Sequence, residues 1–260
     1  MLVLDLDFDV LVSPTAEADQ PGDRPTDADH VAAAPAPMRR WLGAVFGLST
    51  ETPIAGECVT EHRDVIGLWH RWIDRGEVAP PFDLIHLQSH SDLSYGSHRR
   101  NEPAIEELLA RPTRERLGMV LDRPEMVTSG NCVLLAMACG WIRRLVHVHR
   151  DDAGSAARIF LREYGRPREG RRLLHHLPAG AAGDEEEQLR IRLGGREGGF
   201  EPPVPCRVVK LSQLASSDAL PAWARRSPDR VVFVKSPAVT PPKADGLMKV
   251  ASEYLATEKS

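Results

Sequence analysis

The sequence has few cysteines and none of the cysteine patterns that build a site by themselves. Its four cysteines are widely spaced, and none belongs to a Cys-x-x-Cys pair. This argues against a disulfide framework and against a zinc site made of thiolates. It favours a protein of the reducing cytoplasm.

Two further absences exclude classes of partner. No apolar run approaches the roughly 20 residues that a membrane helix needs. The apolar N-terminus, MLVLDLDFDVLV, carries three aspartates and no basic residue, which argues against a signal peptide. The formal net charge is −4 at pH 7, so nothing indicates the basic face of a nucleic-acid-binding protein. We therefore expect neither a membrane nor a nucleic acid as partner.

The apolar segments that are present alternate between strand-like runs and helical patterns. Strands are predicted over 1–12, 83–88, 145–149, 206–211 and 230–236, and helices over 60–76, from Asn101, over 130–142, near 154–164 and over 244–258. This alternation predicts an α/β protein of three layers, α/β/α, with a mostly parallel sheet covered on both faces. We expect a single domain over 1–260.

Two segments lack an apolar period. Residues 13–38 are rich in Pro, Ala and Asp and are predicted to form a long loop or mobile insertion. Residues 165–204 carry Gly, Pro and charge runs such as DEEE, and are predicted to be a surface excursion.

Three aspartates in the first predicted strand point to a metal. Asp5, Asp7 and Asp9 alternate, and alternate residues of a strand share one face at a spacing of about 6.6 Å. Three carboxylates on one buried face repel each other and cost desolvation unless a cation or hydrogen-bond donors compensate. One of them could instead cap the following loop, but all three together favour a metal.

A second polar cluster, Gln88, His90 and Asp92, follows the strand DLIHLQ, and His62 precedes a predicted helix. Ligands of open parallel sheets bind at the carboxyl ends of the strands, so these side chains are candidates for the same site. His62 taken alone is equally compatible with a surface histidine at a helix start. Carboxylate and imidazole ligands suit Mn, Fe or Zn.

The ordered combination of five segments resembles the bacterial peptide arginases. These segments are VLDLDFD, EHRD, PFDLIHLQSHSDLSYG, SGNCVLLAMACGWI and VKSPAVTPPKAD, and together they span roughly half of the chain. The resemblance implies an arginase/deacetylase-like fold with two manganese ions. It further implies a cytoplasmic hydrolase that converts arginine residues of a ribosomally made precursor peptide to ornithine and releases urea, so the expected partner is an arginine-containing peptide.

The resemblance also assigns residues. It implies that the metal ligands are Asp7, Asp9, His62, Gln88, His90 and Asp92, with Asp5 one step behind them. Asp64 is a candidate catalytic carboxylate behind His62, and a solvated residue at a helix start is its alternative. Ser129 and Asn131 are candidates for substrate binding, Asn131 also for a catalytic role, and a helix cap is the alternative for both.

The chain departs from the family pattern at Gln88, where a carboxylate that bridges both metals is expected. A neutral amide removes a negative charge and bridges poorly, so one of the two metals should bind more weakly or be missing. Two alternatives therefore stay open. One is an arginase-fold hydrolase of another C–N bond, as in deacetylase-like relatives, and the other is a catalytically impaired relative that binds a peptide or partner. The resemblance leaves room for an oligomer.

Overall fold

The computed structural model describes residues 1–16, 24–93, 102–152, 174–178, 189–193 and 204–256. Within these ranges the strands are β1 (Leu2–Asp7), β2 (Val12–Ser13), β3 (Val31–Ala32), β4 (Gly56–Val59), β5 (Phe82–Leu87), β6 (Ile142–His149), β7 (Leu174–Pro178), β8 (Leu189–Leu193), β9 (Val204–Lys210) and β10 (Arg230–Val234). The helices are α1 (Pro35–Phe46), α2 (Asp64–Asp74), α3 (Glu102–Ala110), α4 (Thr113–Asp122), α5 (Cys132–Ala138) and α6 (Asp245–Ser252).

The main sheet has eight strands in the order β4-β10-β1-β5-β6-β9-β8-β7. The six strands from β4 to β9 are parallel to their neighbours, whereas β8 and β7 add an antiparallel pair at one edge. Strands β2 and β3 form a separate two-stranded sheet. The prediction of a mostly parallel sheet is confirmed.

Because successive side chains of a strand point to opposite faces, the apolar residues of the strands form two hydrophobic cores, one on each face of the sheet. On β1, Leu2, Leu4 and Leu6 pack with α1 and α6, whereas Val3 packs with α2, α3, α4 and α5. Helices therefore cover both faces, and the three-layer α/β/α prediction is confirmed. Asp5 and Asp7 share the face of Val3, so their carboxylates replace apolar side chains toward α2 and α5.

Several predicted boundaries need correction. The first strand ends at Asp7, because residues 8–11 form a 3₁₀ turn. The loop predicted over 13–38 contains β2 and β3 and gives way to α1 at Pro35, a helix that begins with proline in its first turn. The described parts of the excursion predicted over 165–204 are β7, β8 and the start of β9, which belong to the sheet. The helix predicted near 154–164 lies outside the described residues.

No helix in the described ranges is both long and apolar enough to cross a bilayer.

Asp83 links the amino-terminal ends of β5 and β6. Asp7 and His90 lie at the other end of the strands, the carboxyl end. The two carboxylate oxygens of Asp83 accept hydrogen bonds of 2.6–2.9 Å from Arg143 and Arg144. Burial alone raises the pKa of Asp83, but the two guanidinium groups outweigh it and lower this pKa to about 2. Both are partly exposed, which weakens their effect.

We expect Asp83→Asn to lower the free energy of unfolding by about 1–2 kcal/mol at neutral pH. The folded-state pKa is depressed, so this stability is present above the unfolded-state pKa near 3.8 and is lost as the pH falls toward about 2. Urea unfolding between pH 7 and pH 3 measures it, with Asp74→Asn, an exposed aspartate at the end of α2, as the control. A deficit that does not shrink in acid contradicts this account.

Candidate metal centre

The cluster lies where the strand connections diverge. After β1 the chain passes through α1 on one face of the sheet, and after β5 it passes through α3, α4 and α5 on the other. Because β1 and β5 are neighbours, their carboxyl ends form the switch point of the sheet, which is where α/β proteins bind ligands. Asp7, Gln88, His90 and Asp92 stand at or just beyond these strand ends.

Asp5 holds two histidines on one of its oxygens. Nε2 of His62 lies 3.0 Å and Nδ1 of His86 lies 3.1 Å from Asp5 Oδ2. An ionised carboxylate can only accept, so both ring nitrogens carry hydrogen and donate to it. This arrangement orients the His62 ring and turns its other nitrogen, Nδ1, away from Asp5.

Nδ1 of His62 contacts Asp92 Oδ2 directly, and Cys132 completes the group. Cys132 Sγ lies 3.2 Å from Asp92 Oδ2 and 3.7 Å from His62 Nδ1. One ligand atom from each residue lies within 4.8 Å of the others, and the same holds for Asp5, His62 and His86. Both sets could hold a metal ion. In the set of Asp5, His62 and His86, however, Asp5 hydrogen-bonds to both histidines, so its alternative role is to orient the His62 ring.

Asp9 and His90 form a second pair beside this group. His90 Nδ1 lies 3.0 Å from Asp9 Oδ2, and the backbone N–H of Ser89 donates to Asp9 Oδ1 over 3.0 Å. Asp7 accepts from the backbone N–H of Asp9 at 2.9 Å and from the Ser236 hydroxyl. The His90 side chain is 26% exposed, so the cluster meets solvent on this side.

The buried charge of the cluster calls for a cation. Four carboxylates, those of Asp5, Asp7, Asp9 and Asp92, are at most 2% exposed. Among the described residues, Asp5 Oδ1, Gln88 Oε1 and Asp92 Oδ1 are buried oxygens without a hydrogen-bond partner. Buried acceptors are normally satisfied, and buried charges are normally paired or bound to metal. The residues present therefore fit a divalent cation.

The pKa values show the same need for positive charge. Burial alone lowers the pKa of His62, but its electrostatic contacts with Cys132, Asp92 and Asp5 raise it well above its usual value. Burial, together with neighbouring Asp9, raises the pKa of Asp7 well above the ordinary range. Without a cation the cluster thus retains protons on His62 and Asp7, and a bound cation can take their place.

Of the six predicted metal ligands, His62 and Asp92 have ligand atoms within reach of one ion, together with Cys132. Asp9 and His90 form a pair of their own. Asp7 and Gln88 are buried at the ends of β1 and β5, and a shared site for all six stays a prediction.

Asp9 does not share a strand face with Asp5 and Asp7, and that prediction is wrong, because Asp9 lies in the 3₁₀ turn that Asp7 caps. Asp7 therefore has the alternative role predicted for one of the three aspartates, because it caps the turn that follows the strand. Asp5 hydrogen-bonds to His62 and His86 and belongs to one of the two candidate metal sets.

The predicted catalytic and substrate residues lie differently. Asp64 is exposed at the start of α2, where its carboxylate accepts from the backbone N–H of Glu61, outside the buried cluster. Asn131 is fully buried and hydrogen-bonds to the backbone of Met126 and Thr128, which fixes the turn before α5. Ser129 is half-buried in that turn. Their roles in catalysis or substrate binding stay predictions.

Sequence reasoning missed Cys132, Ser236 and the contact of His86 with Asp5. A lone buried cysteine gives no local signal, and Ser236 reaches Asp7 only because β10 lies beside β1. His147 and His149 continue a row of stacked rings, with centroid distances of 5.4 Å from His86 to His147 and 5.9 Å from His147 to His149. Both are buried.

No family model matches the chain, and neither a curated protein nor a solved structure is similar to it.

Proposed function

We propose that the protein is a divalent-metal-dependent hydrolase whose reaction resembles that of the peptide arginases. The observation that carries the proposal is two carboxylate–imidazole contacts, His62 with Asp92 and His90 with Asp9, beside buried oxygens that have no hydrogen-bond partner among the described residues. Such a set of carboxylate and imidazole groups suits a hydrolytic metal centre. The choice of arginine within a cytoplasmic precursor peptide as substrate rests on the motif resemblance.

The residues that would hold the metal are Asp7, Asp9, His62, His90 and Asp92, with Gln88 offering an amide oxygen. When bound, the cation supplies a Lewis acid that makes water available as a nucleophile at neutral pH, which the delocalised guanidinium group requires.

The remaining contacts orient these groups. Asp5 holds the proton on His62 Nε2, which leaves Nδ1 facing Asp92. The Ser236 hydroxyl fixes one oxygen of Asp7, and the Ser89 amide fixes one oxygen of Asp9. Hydrogen bonds of this kind restrict the rotamers of ligating carboxylates and imidazoles.

The substrate would enter on the side of His90, the partly exposed member of the cluster. Peptidyl arginine carries no free α-amino or α-carboxyl group at the reacting residue. Groups around the metal centre must then recognise the peptide. Ser129, in the turn leading to Cys132, is predicted to be one of them.

The test incubates the protein, loaded separately with Mn²⁺ and Zn²⁺, with an arginine-containing peptide, free arginine and an acetyl-lysine peptide. We expect only the arginine peptide to change, becoming lighter by one carbon, two nitrogen and two hydrogen atoms, with urea released. Turnover of acetyl-lysine alone favours the deacetylase-like alternative. A metal-loaded protein that leaves all three unchanged overturns the hydrolase proposal.

Gln88 is the observation that favours the second candidate, a catalytically impaired relative that binds peptides. Its side-chain oxygen is buried without a hydrogen-bond partner among the described residues, so it can face a cation, but it brings no charge.

We expect Gln88→Asp to strengthen metal binding by about tenfold, or roughly 1.4 kcal/mol, because it adds an anionic ligand. The metal-free variant should melt at a lower temperature than the metal-free parent, since a further carboxylate is buried. Metal content by mass spectrometry and thermal melting measure the two effects, with Gln213→Asp on the surface as control. Unchanged metal occupancy shows that position 88 does not face the metal.

A further inference from the structure

We propose that Cys132 is a ligand of this metal centre and that its thiolate makes the His62–Asp92 end of the centre prefer Zn²⁺ or Co²⁺ to Mn²⁺. The inference rests on the metal centre of the proposed function and extends it by a ligand and a metal preference. Manganese was the expectation from the motif resemblance. Nothing in the cysteine spacing of the sequence indicated a thiolate ligand.

Cys132 is the first residue of α5 and is fully buried. The N–H of Leu134 donates to the backbone oxygen of Asp92 over 3.0 Å, which pins the Asp92 backbone to this helix. The thiol and the carboxylate therefore face each other across a fixed separation, 3.2 Å from Sγ to Oδ2.

The distances suit three ligands of one ion. Zinc binds thiolate at about 2.3 Å and imidazole nitrogen at about 2.0–2.1 Å, so two such ligands at a tetrahedral angle stand about 3.5 Å apart. Cys132 Sγ lies 3.7 Å from His62 Nδ1 and 3.2 Å from Asp92 Oδ2, on either side of that value. His62 and Asp92 are in closer contact and would part on binding.

A second observation points to a ligand at this place. Asp92 is 2% exposed, and its Oδ1 has no hydrogen-bond partner among the described residues, although Oδ2 contacts both His62 and Cys132. A thiol that merely packs in the core can satisfy Oδ2 by donating its hydrogen, but it leaves Oδ1 alone. A metal held by the carboxylate accounts for both oxygens.

Charge favours the same assignment. Gln88 removes a negative charge from the centre, and a thiolate at Cys132 restores one next to Asp92. On binding, the thiol proton passes to solvent as the metal–sulfur bond forms, so the dication meets one carboxylate and one thiolate. Thiolate ligands favour zinc and cobalt over manganese, which prefers oxygen ligands.

The test is a titration of the full-length, metal-free protein with Co²⁺, followed by absorption spectroscopy. We expect a near-ultraviolet thiolate-to-cobalt charge-transfer band in the parent protein that Zn²⁺ abolishes by displacing the cobalt. Cys132→Ser should lose this band and retain weaker cobalt binding, whereas Cys139→Ser, at the other end of α5, should keep it. The parent spectrum decides the question even if the Cys132 variant does not fold.

Competition titrations complete the test. We expect Cys132→Ser to weaken Zn²⁺ binding by about tenfold or more and Mn²⁺ binding by much less, because only the soft ligand is lost. Cobalt uptake without a charge-transfer band overturns the role of Cys132 and leaves the metal centre standing. Failure to take up Co²⁺, Zn²⁺ or Mn²⁺ overturns the metal centre and this inference together.

Discussion

Removing divalent metal from the protein should lower its melting temperature by about 5–10 °C. A metal that binds only the folded state stabilises it by about 2.7 kcal/mol when its free concentration is a hundred times its Kd. For a chain of this size, 1 kcal/mol corresponds to about 2–4 °C. The physical reason is that the carboxyl groups of Asp5, Asp7, Asp9 and Asp92 are buried together, and without a cation only protons and hydrogen bonds balance their charge.

Melting curves of chelated protein, with Zn²⁺ or Mn²⁺ added back in steps, measure this effect. The melting temperature should rise with the logarithm of metal concentration once the site is saturated. Asp74→Asn should keep the full shift, because Asp74 is exposed and distant in sequence from the cluster. A melting temperature that no divalent metal raises contradicts a metal centre at this place.

The strands that carry the site could be predicted because their apolar runs are nearly unbroken. Strands β1, β5 and β10 and the second half of β6, from Leu145 onward, are buried on both faces, and apolar residues make up most of each. Polar residues that follow such strands stand out, and the carboxyl ends of parallel strands meet at one edge. Asp7, His90 and Asp92 could therefore be placed at one site before any coordinates were known.

Contacts that depend on the order of strands and on helix packing could not be predicted in this way. Asp5, His86 and His147 form a row because β1, β5 and β6 are neighbours in matched register, which no local pattern reveals. Cys132 reaches Asp92 through the packing of a short, wholly apolar helix, so its neighbours in sequence mark it as a core residue.

Short or weakly patterned elements were also missed. Strand β4 has four residues and lies at the sheet edge, where it pairs only with β10 within the sheet. Helix α1 starts inside a Pro- and Ala-rich stretch whose composition is typical of loops. Its buried residues, Met38, Leu42, Val45 and Phe46, are spaced at helical intervals that become visible only from position 38 onward.

His62 and Asp5 should differ sharply in what their loss does to metal binding. His62 contacts Asp92 through Nδ1, so we expect His62→Ala to weaken metal binding by more than about 100-fold, with any hydrolytic activity lost. Asp5 acts on the ring from behind, so Asp5→Asn should weaken metal binding by about 10–100-fold, the range for residues that orient a ligating histidine.

Isothermal titration of both variants with Zn²⁺ measures their metal affinity. The control is His70→Ala, which lies in α2, the helix that follows His62. His70 is half-buried and stacks on Trp141 at 6.4 Å, so its removal should leave metal affinity unchanged. Equal losses in His62→Ala and Asp5→Asn would make Asp5 a direct ligand and place the metal among Asp5, His62 and His86. In that case His86→Ala should abolish binding as well. If instead Asp5 only orients His62, His86→Ala should weaken binding no more than Asp5→Asn does, because Asp5 still holds the His62 ring.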